Sequence, residues 1–171
     1  MSSQRLIKKT TISSAVSSAN VENVFSSDFL VYKVITSDIV TSTSASLSLR
    51  FINSAGSIIS TGYQYGFLRM RTSGFNDVNE TSGTSLSEAF GQNNTATGSG
   101  AISYIYNPFL STSPTFFSMQ GSFMSGTEMR TYRYQGVQTA FTVNTGFQFF
   151  VDSGTVDEGN IEVFGVREIW V

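Results

Sequence analysis

The side chains that most often carry out catalysis at neutral pH are missing from this sequence. None of its 171 residues is a His or a Cys. Without imidazole or thiol, the chain has no Ser-His-Asp or Cys-His arrangement and no thiolate ligand for zinc. We therefore expect a protein that is not an enzyme, with no catalytic residues, no metal site and no cofactor.

Carboxylates are the remaining groups with chemical potential. Two of them facing each other across a cleft can hydrolyse a glycosidic bond, and three lie in or beside predicted strands: Glu128, Glu162 and Glu168. A single turn holds four further oxygen-bearing residues that could bind calcium: Asp152, Asp157, Glu158 and Asn160. The spacing in this turn is not that of an EF-hand. We interpret both sets as surface acids and keep an acid-pair glycosidase as a remote alternative.

Tyrosines supply the candidate binding surface. Tyr132 and Tyr134 flank Arg133, and Tyr104 and Tyr106 form a similar pair earlier in the chain. Such rings could stack on sugar rings, yet Tyr is also common in strands, where its ring packs and its hydroxyl reaches water. Packing is the simpler interpretation of both clusters. The functional interpretation is a binding surface formed by Tyr132, Arg133 and Tyr134.

Short stretches with apolar residues at every second position must carry these side chains. Leu47, Leu49 and Phe51 alternate with polar residues, which is the period of a half-buried strand. A turn-like sequence at 53–56 separates this stretch from Tyr63 and Tyr65, which predicts a long hairpin. Further predicted strands are 28–36, 63–71, 101–106, 115–123, 129–135, 139–143, 147–151 and 160–171. We predict an all-β fold, an antiparallel β-sandwich of jelly-roll type with about eight or nine strands in one domain, 26–171.

Two segments lack this alternation. Residues 1–25 are rich in Ser and carry three cations, Arg5, Lys8 and Lys9. We interpret them as an N-terminal arm through which the chain attaches to a neighbouring protein, with a frayed terminus as the alternative. Residues 6–7 and 10–12 could form a short strand within it. Residues 72–100 are dominated by Gly, Ser, Thr and Asn, and the hypothesis for them is an exposed loop with one helical turn near 85–90.

Composition restricts the partners. Charged residues make up 13% of the chain and the net charge is −2, so the clustered cations that bind nucleic acid are missing. No window approaches the roughly 18 apolar residues that span a bilayer. The 15 Phe, 7 Tyr and 1 Trp exceed what we expect one sandwich core to hold. We therefore predict a homo-oligomer, with a trimer favoured, and rings such as Phe109, Phe116, Phe150 or Trp170 in subunit contacts.

The strand patterns also resemble those of a group of known proteins. The pair Leu47–Phe51 and Tyr63–Tyr65, the run Tyr104–Pro108 and the closing stretch 159–166 are similar to strands of tailed-phage virion β-sandwich proteins. These include head-decoration, tail-fibre and knob subunits. The resemblance implies a virion location and a non-enzymatic structural role in particle assembly or stabilisation, as a capsid decoration or tail subunit. The arm would then contact other virion proteins.

The same resemblance implies an alternative role. The chain would be a receptor- or glycan-binding tip domain that mediates host adsorption. Its partner would be a host surface glycan, and Tyr132, Arg133 and Tyr134 would form the contact surface.

Overall fold

The computed structural model describes residues 4–93, 98–125 and 127–167. Within these ranges the chain forms twelve β-strands and no helix. The strands are β1 Gln4–Ile12, β2 Ser18–Val21, β3 Val31–Thr41, β4 Ala45–Asn53, β5 Tyr63–Arg71, β6 Gly74–Gly83, β7 Gln92–Asn93, β8 Ser99–Tyr106, β9 Thr115–Ser125, β10 Glu128–Gln138, β11 Asn144–Val151 and β12 Val156–Val166. Accordingly, none of the described residues belongs to a helix with the length and hydropathy needed to cross a bilayer.

The strands form two antiparallel sheets packed against each other. The large sheet has the order β1-β12-β3-β8-β9-β10-β5-β6, and the small sheet has the order β2-β11-β4-β7. The prediction of an all-β antiparallel sandwich is confirmed. The predicted count of eight or nine strands is too low, because β2, β6 and β7 lie in segments whose polar composition concealed them. The short strand considered within residues 6–12 is part of β1, which is longer.

Alternation decides which side chains enter the core. In β3, Tyr32, Val34 and Thr36 are buried, whereas Lys33 and Ile35 between them are partly exposed. The buried set faces the small sheet, and we call this the inner face of the large sheet. The opposite face, which carries Lys33 and Ile35, is the outer face. The same alternation assigns the residues of β8, β9 and β10 to the two faces.

Aromatic rings fill the space between the sheets. Phe90 lies 5.3 Å from Phe149 of β11 and 6.4 Å from Phe147, measured between ring centroids. On its other side, the Phe90 ring lies edge-on to Phe117 of β9 at 6.0 Å. Tilted and edge-to-face contacts of this kind are the favoured arrangements of aromatic pairs. Phe90 therefore joins the two sheets, although it belongs to the connection before β7.

The predicted hairpin between β4 and β5 is wrong. These strands belong to different sheets. After β4 the chain turns tightly, with the Asn53 N–H donating to the Ser57 carbonyl at 3.0 Å. It then crosses to the large sheet past Gly62. The φ angle of this residue is +76°, in the left-handed region that favours glycine. Alternation identified both strands, but it carries no information about which strand pairs with which.

The hypothesis of an exposed loop over 72–100 is wrong for the part that the structure describes. It contains β6 and β7, and between them Leu86, Ala89 and Phe90 are fully buried. Leu86 and Leu49 exchange two backbone hydrogen bonds of 2.9 and 3.0 Å. These few apolar residues anchor the connection between β6 and β7 because they are spaced to meet the core, whereas β6 itself is largely exposed. The strand predicted at 139–143 is absent.

Candidate functional site

A shallow groove lies on the outer face of the large sheet, over β8, β9 and β10. Its volume is about 420 Å³. From β8 it is lined by Ile102, Tyr104 and Tyr106. These three side chains point outward because Ser103 and Ile105, which alternate with them, are buried on the inner face.

Tyr104 and Tyr106 form an aromatic platform along one wall, which we call the tyrosine pair. Their ring centroids lie 6.4 Å apart, with an angle of 28° between the ring planes. The Tyr106 hydroxyl and the Ser118 hydroxyl are 3.4 Å apart. The Tyr104 hydroxyl makes no hydrogen bond with any described residue. Both rings are partly exposed, so the platform can contact a ligand without moving.

The opposite wall is polar. Ser118 lies directly across from Gln135, and Gln120 lies across from Arg133. Gln120, Arg133 and Gln135 are exposed. Within the described ranges, their side chains have no hydrogen-bond or ion-pair partner. Their amide and guanidinium donors are therefore available to a ligand in the groove.

Two cations lie on opposite sides of the tyrosine pair, Lys33 on the adjacent strand and Arg133 two strands away. Arg133 lines the groove, and Lys33 is the cross-strand neighbour of Tyr104 on β3. No described acid forms a salt bridge with either, since the salt bridges found among these residues are Lys9–Glu162, Arg69–Glu88 and Arg130–Glu128. An unpaired guanidinium is well suited to bind a carboxylate or sulfate through two parallel hydrogen bonds.

The three predicted binding residues fall on opposite faces of β10. Arg133 lies on the outer face in the groove, whereas Tyr132 and Tyr134 are 1% and 0% exposed on the inner face. Burial raises the pKa of both tyrosines above the ordinary value. The Tyr134 ring stacks on Phe67 at a centroid distance of 5.2 Å. These tyrosines therefore pack in the core, and only Arg133 can contact a ligand on the outer face.

Sequence reasoning did not single out Ser118, Gln120 or Gln135. All three occupy alternate positions of predicted strands, so their outward direction could have been inferred. Their proximity to the tyrosine pair could not, because it depends on the order β8-β9-β10 in the sheet.

The predicted arm cations lie on or beside the large sheet. The Arg5 guanidinium lies 5.4 Å from the centre of the Phe29 ring. Lys8 donates a hydrogen bond of 3.1 Å to the Glu22 carbonyl oxygen. Lys9 forms an exposed ion pair of 3.2 Å with Glu162. Attachment to another protein through these residues stays a prediction.

The acidic residues have local partners. Glu128 accepts hydrogen bonds from the Ser73 hydroxyl and the Arg130 guanidinium at 2.6 and 3.1 Å. The Ser73 bond contributes most to lowering the pKa of Glu128. Three strands separate Glu128 on β10 from Glu162 on β12. The distance is therefore roughly 19 Å at about 4.8 Å per strand, beyond the separation that a glycosidase needs. The third acid, Glu168, lies outside the described residues.

The turn considered for calcium is also tied down internally. The Asp152 carboxylate accepts a hydrogen bond of 2.8 Å from the Ser46 N–H. The Asp157 carboxylate accepts one of 2.7 Å from the Thr155 hydroxyl. Across the described ranges, no group of three or more His, Cys, Asp or Glu side chains is arranged to hold a metal ion.

Comparisons with known proteins find weak similarity to solved structures. No family model matches the chain, and no curated protein matches its sequence. Alginate lyase Aly36B and a variant of it in complex with an alginate tetrasaccharide are 12% identical over 95% of this chain and 81% of theirs, with TM-scores of 0.35 and 0.39. The CBM2 module of the evolved Dit of Lactobacillus casei BL23 phage J-1 is 7% identical over 96% of this chain and 78% of that module, with a TM-score of 0.28. Similarity at this level assigns no activity or ligand to the chain.

The predicted function as a structural or host-adsorption subunit of a tailed-phage virion is wrong on this comparison. The matching structures include several of an alginate lyase, and the phage protein among them matches with a TM-score of 0.28. The physical reason is that alternating strands rich in Tyr and Phe are a requirement of β-sandwiches in general. The virion location, the trimeric state and the lack of enzymatic activity stay predictions.

Proposed function

We propose that the protein binds a polysaccharide in the groove on the outer face of the large sheet. The observation that carries the proposal is the tyrosine pair, two neighbouring rings of Tyr104 and Tyr106 with 28° between their planes. Both rings are partly exposed and offer apolar surface on which the C–H faces of sugars can stack. Tyr loses little conformational entropy on binding, since it has only two side-chain torsions.

The polar wall supports the same ligand class. Sugars carry many hydroxyls, and a binding site must replace the hydrogen bonds that these groups make with water. Gln120, Gln135 and Arg133 present amide and guanidinium groups without partners among the described residues. The groove thus combines an apolar wall with several hydrogen-bonding groups, as ligand sites generally do.

The open shape favours a chain over a small cofactor. Sites for small molecules usually enclose most of the ligand surface, whereas this groove is a depression in an exposed sheet face. A second chemical feature is the pair of cations, Lys33 and Arg133, on the two sides of the tyrosines. They favour a polysaccharide that carries carboxylate or sulfate groups.

Removing the tyrosine pair tests the proposal. The wild type and Tyr104→Ala/Tyr106→Ala are applied to an array of acidic and neutral polysaccharides that includes alginate and cellulose. Affinities for the glycans bound are then measured by calorimetry. We expect the double variant to bind at least tenfold more weakly, because each stacking ring contributes on the order of 1 kcal/mol or more.

The matched control is Phe75→Ala/Phe141→Ala, which removes two rings that are 77% and 62% exposed outside the groove. It should bind as the wild type does. The proposal fails if the wild type binds no polysaccharide on the array. It also fails if the two double variants lose affinity equally.

A further inference from the structure

We infer that the groove continues into a second sugar subsite over β10, β5 and β6, so that the protein binds a chain running across the strands. This inference rests on the proposed function. The outer face holds a second depression of about 460 Å³ next to the first. Its lining includes Gln64, Asn79, Thr81, Phe116, Gln135 and Val137.

The two depressions are continuous. Gln135 lines both of them. Phe116, which is 45% exposed, is the cross-strand neighbour of Tyr106 and of Val137. The apolar wall therefore extends from the tyrosine pair over Phe116 to Val137. A ligand stacked on Tyr106 would reach the second depression through its next unit.

Gly66 keeps this path open. It lies between Gln135 of β10 and Asn79 of β6 in the register of the large sheet. Its neighbours on the same face of β5, Gln64 and Leu68, are exposed. A Cβ atom at Gly66 would meet only the Val78 carbonyl oxygen, at an ordinary 3.7 Å. A Cβ atom is therefore accommodated at Gly66, and a longer side chain would stand on the outer face between Gln135 and Asn79, which both line the depression.

The chemistry of the second subsite differs from that of the first. Gln64 and Asn79 supply amide groups that have no partner among the described residues. Glu80 is occupied locally, since its carboxylate accepts the Thr81 and Ser82 N–H groups at 2.8 Å. Among the described residues, no cation lines this depression, so it would recognise hydroxyls, whereas Arg133 would recognise an acidic group in the first subsite.

Chain length is the measurement that detects a second subsite. Oligosaccharides of two to six units from alginate and from cellulose, one acidic and one neutral, are titrated into the wild type and Gly66→Leu. We expect the wild type to bind the hexamer at least tenfold more tightly than the dimer. In Gly66→Leu the dimer should bind as before, and the gain from dimer to hexamer should fall to threefold or less.

Two further variants complete the test. Thr11→Leu places a leucine on the exposed strand β1 at the far edge of the sheet; it removes the hydrogen bond from the Thr11 hydroxyl to Asn160 but lies outside both depressions, so it should keep the full length dependence. Gln64→Ala/Asn79→Ala removes the amides without adding bulk and should reduce the hexamer gain, which keeps the inference testable if Gly66→Leu fails to fold.

The outcomes separate the two proposals. If neither oligosaccharide series binds at any length, the proposed function itself fails. If oligosaccharides bind with equal affinity at all lengths, the groove holds one subsite and only this inference is overturned. The inference of a second subsite is also overturned if Gly66→Leu is folded and retains the full gain in affinity from dimer to hexamer.

Discussion

At the scale of single residues, the intervening side chain decides which way a tyrosine pair points. Tyr104-Ile105-Tyr106 and Tyr132-Arg133-Tyr134 have the same spacing, yet the first pair lies on the outer face and the second in the core. Ile105 is more apolar than Tyr and takes the inner face, whereas Arg133 takes the outer face. The sequence contained this signal, so the outward-facing pair could have been identified from it.

Arg133 should select acidic ligands. Replacing it with Gln keeps hydrogen bonding and removes the charge, so Arg133→Gln should bind alginate hexasaccharide about tenfold more weakly, which corresponds to about 1.4 kcal/mol for one charged hydrogen bond. Cellohexaose should bind unchanged. The control is Arg50→Gln in the small sheet, where the guanidinium lies 4.5 Å from the centre of the Phe150 ring. An equal loss for both oligosaccharides, measured by calorimetry, would contradict charge recognition.

Two buried tyrosines should respond in opposite ways to loss of the hydroxyl. The Tyr63 hydroxyl accepts the Phe51 N–H at 2.8 Å and donates to the Ile59 carbonyl at 3.0 Å. Tyr63→Phe should lower the free energy of unfolding by about 2 kcal/mol, because it leaves a buried N–H without a partner. The buried Tyr134 hydroxyl has no hydrogen-bond partner among the described residues. Tyr134→Phe should therefore be neutral or stabilising.

Urea denaturation of the two variants measures this difference. Each is the other's control, because both remove one oxygen atom from a fully buried ring. A loss of 2 kcal/mol or so in both variants would show that the Tyr134 hydroxyl is bonded in solution.

At the scale of elements, the connection between β6 and β7 was the least predictable part of the described chain. Its sequence is dominated by Ser and Thr, yet Leu86 and Phe90 enter the core. Arg69 of β5 and Glu88 hold it in place through an ion pair of 2.5 Å that is largely buried. The sequence pattern around Arg69 and Glu88 does not reveal this ion pair, because the contact depends on tertiary structure alone.

Breaking this ion pair should destabilise the protein strongly. Glu88→Gln leaves the Arg69 charge without its partner in the interior, and we expect a loss of about 3 kcal/mol in the free energy of unfolding. The double variant Arg69→Met/Glu88→Leu should lose less, because it removes both charges. Asp77→Asn on the exposed strand β6 is the control and should change little. If thermal denaturation shows that the double variant is less stable than Glu88→Gln, the charge-based explanation is refuted.

At the scale of the whole molecule, the two-residue period was enough to predict an antiparallel sandwich. Predicted strand 63–71 coincides with β5, and the other predicted strands from 101 to 135 fall inside β8, β9 and β10. Strand order and the division into two sheets could not be read from the period, because every alternating strand can pair with any other. The groove depends on that order and therefore emerged only from the structure.

Alkaline pH should unfold the protein cooperatively. Burial raises the pKa of Tyr63, Tyr132 and Tyr134 above the ordinary value of about 10. Below about pH 10 these three hydroxyls are protonated in both the folded and the unfolded protein, so the packing of the rings stabilises the fold fully. At higher pH the unfolded state ionises first, and stability falls as the pH rises. Tyrosinate absorbance from these residues should appear together with the loss of the β-sheet circular dichroism signal. Complete ionisation without that loss would contradict their burial in solution.

The central claim is that the outer face of the large sheet binds a polysaccharide. The most direct measurement is a backbone-amide NMR titration with alginate hexasaccharide and, separately, cellohexaose. We predict that at least one of them shifts the amide signals of Tyr104, Ser118 and Gln135 and leaves those of the small sheet around Arg50 and Phe150 unchanged. If neither oligosaccharide shifts the groove signals, or if the shifts centre on the small sheet, the account is contradicted.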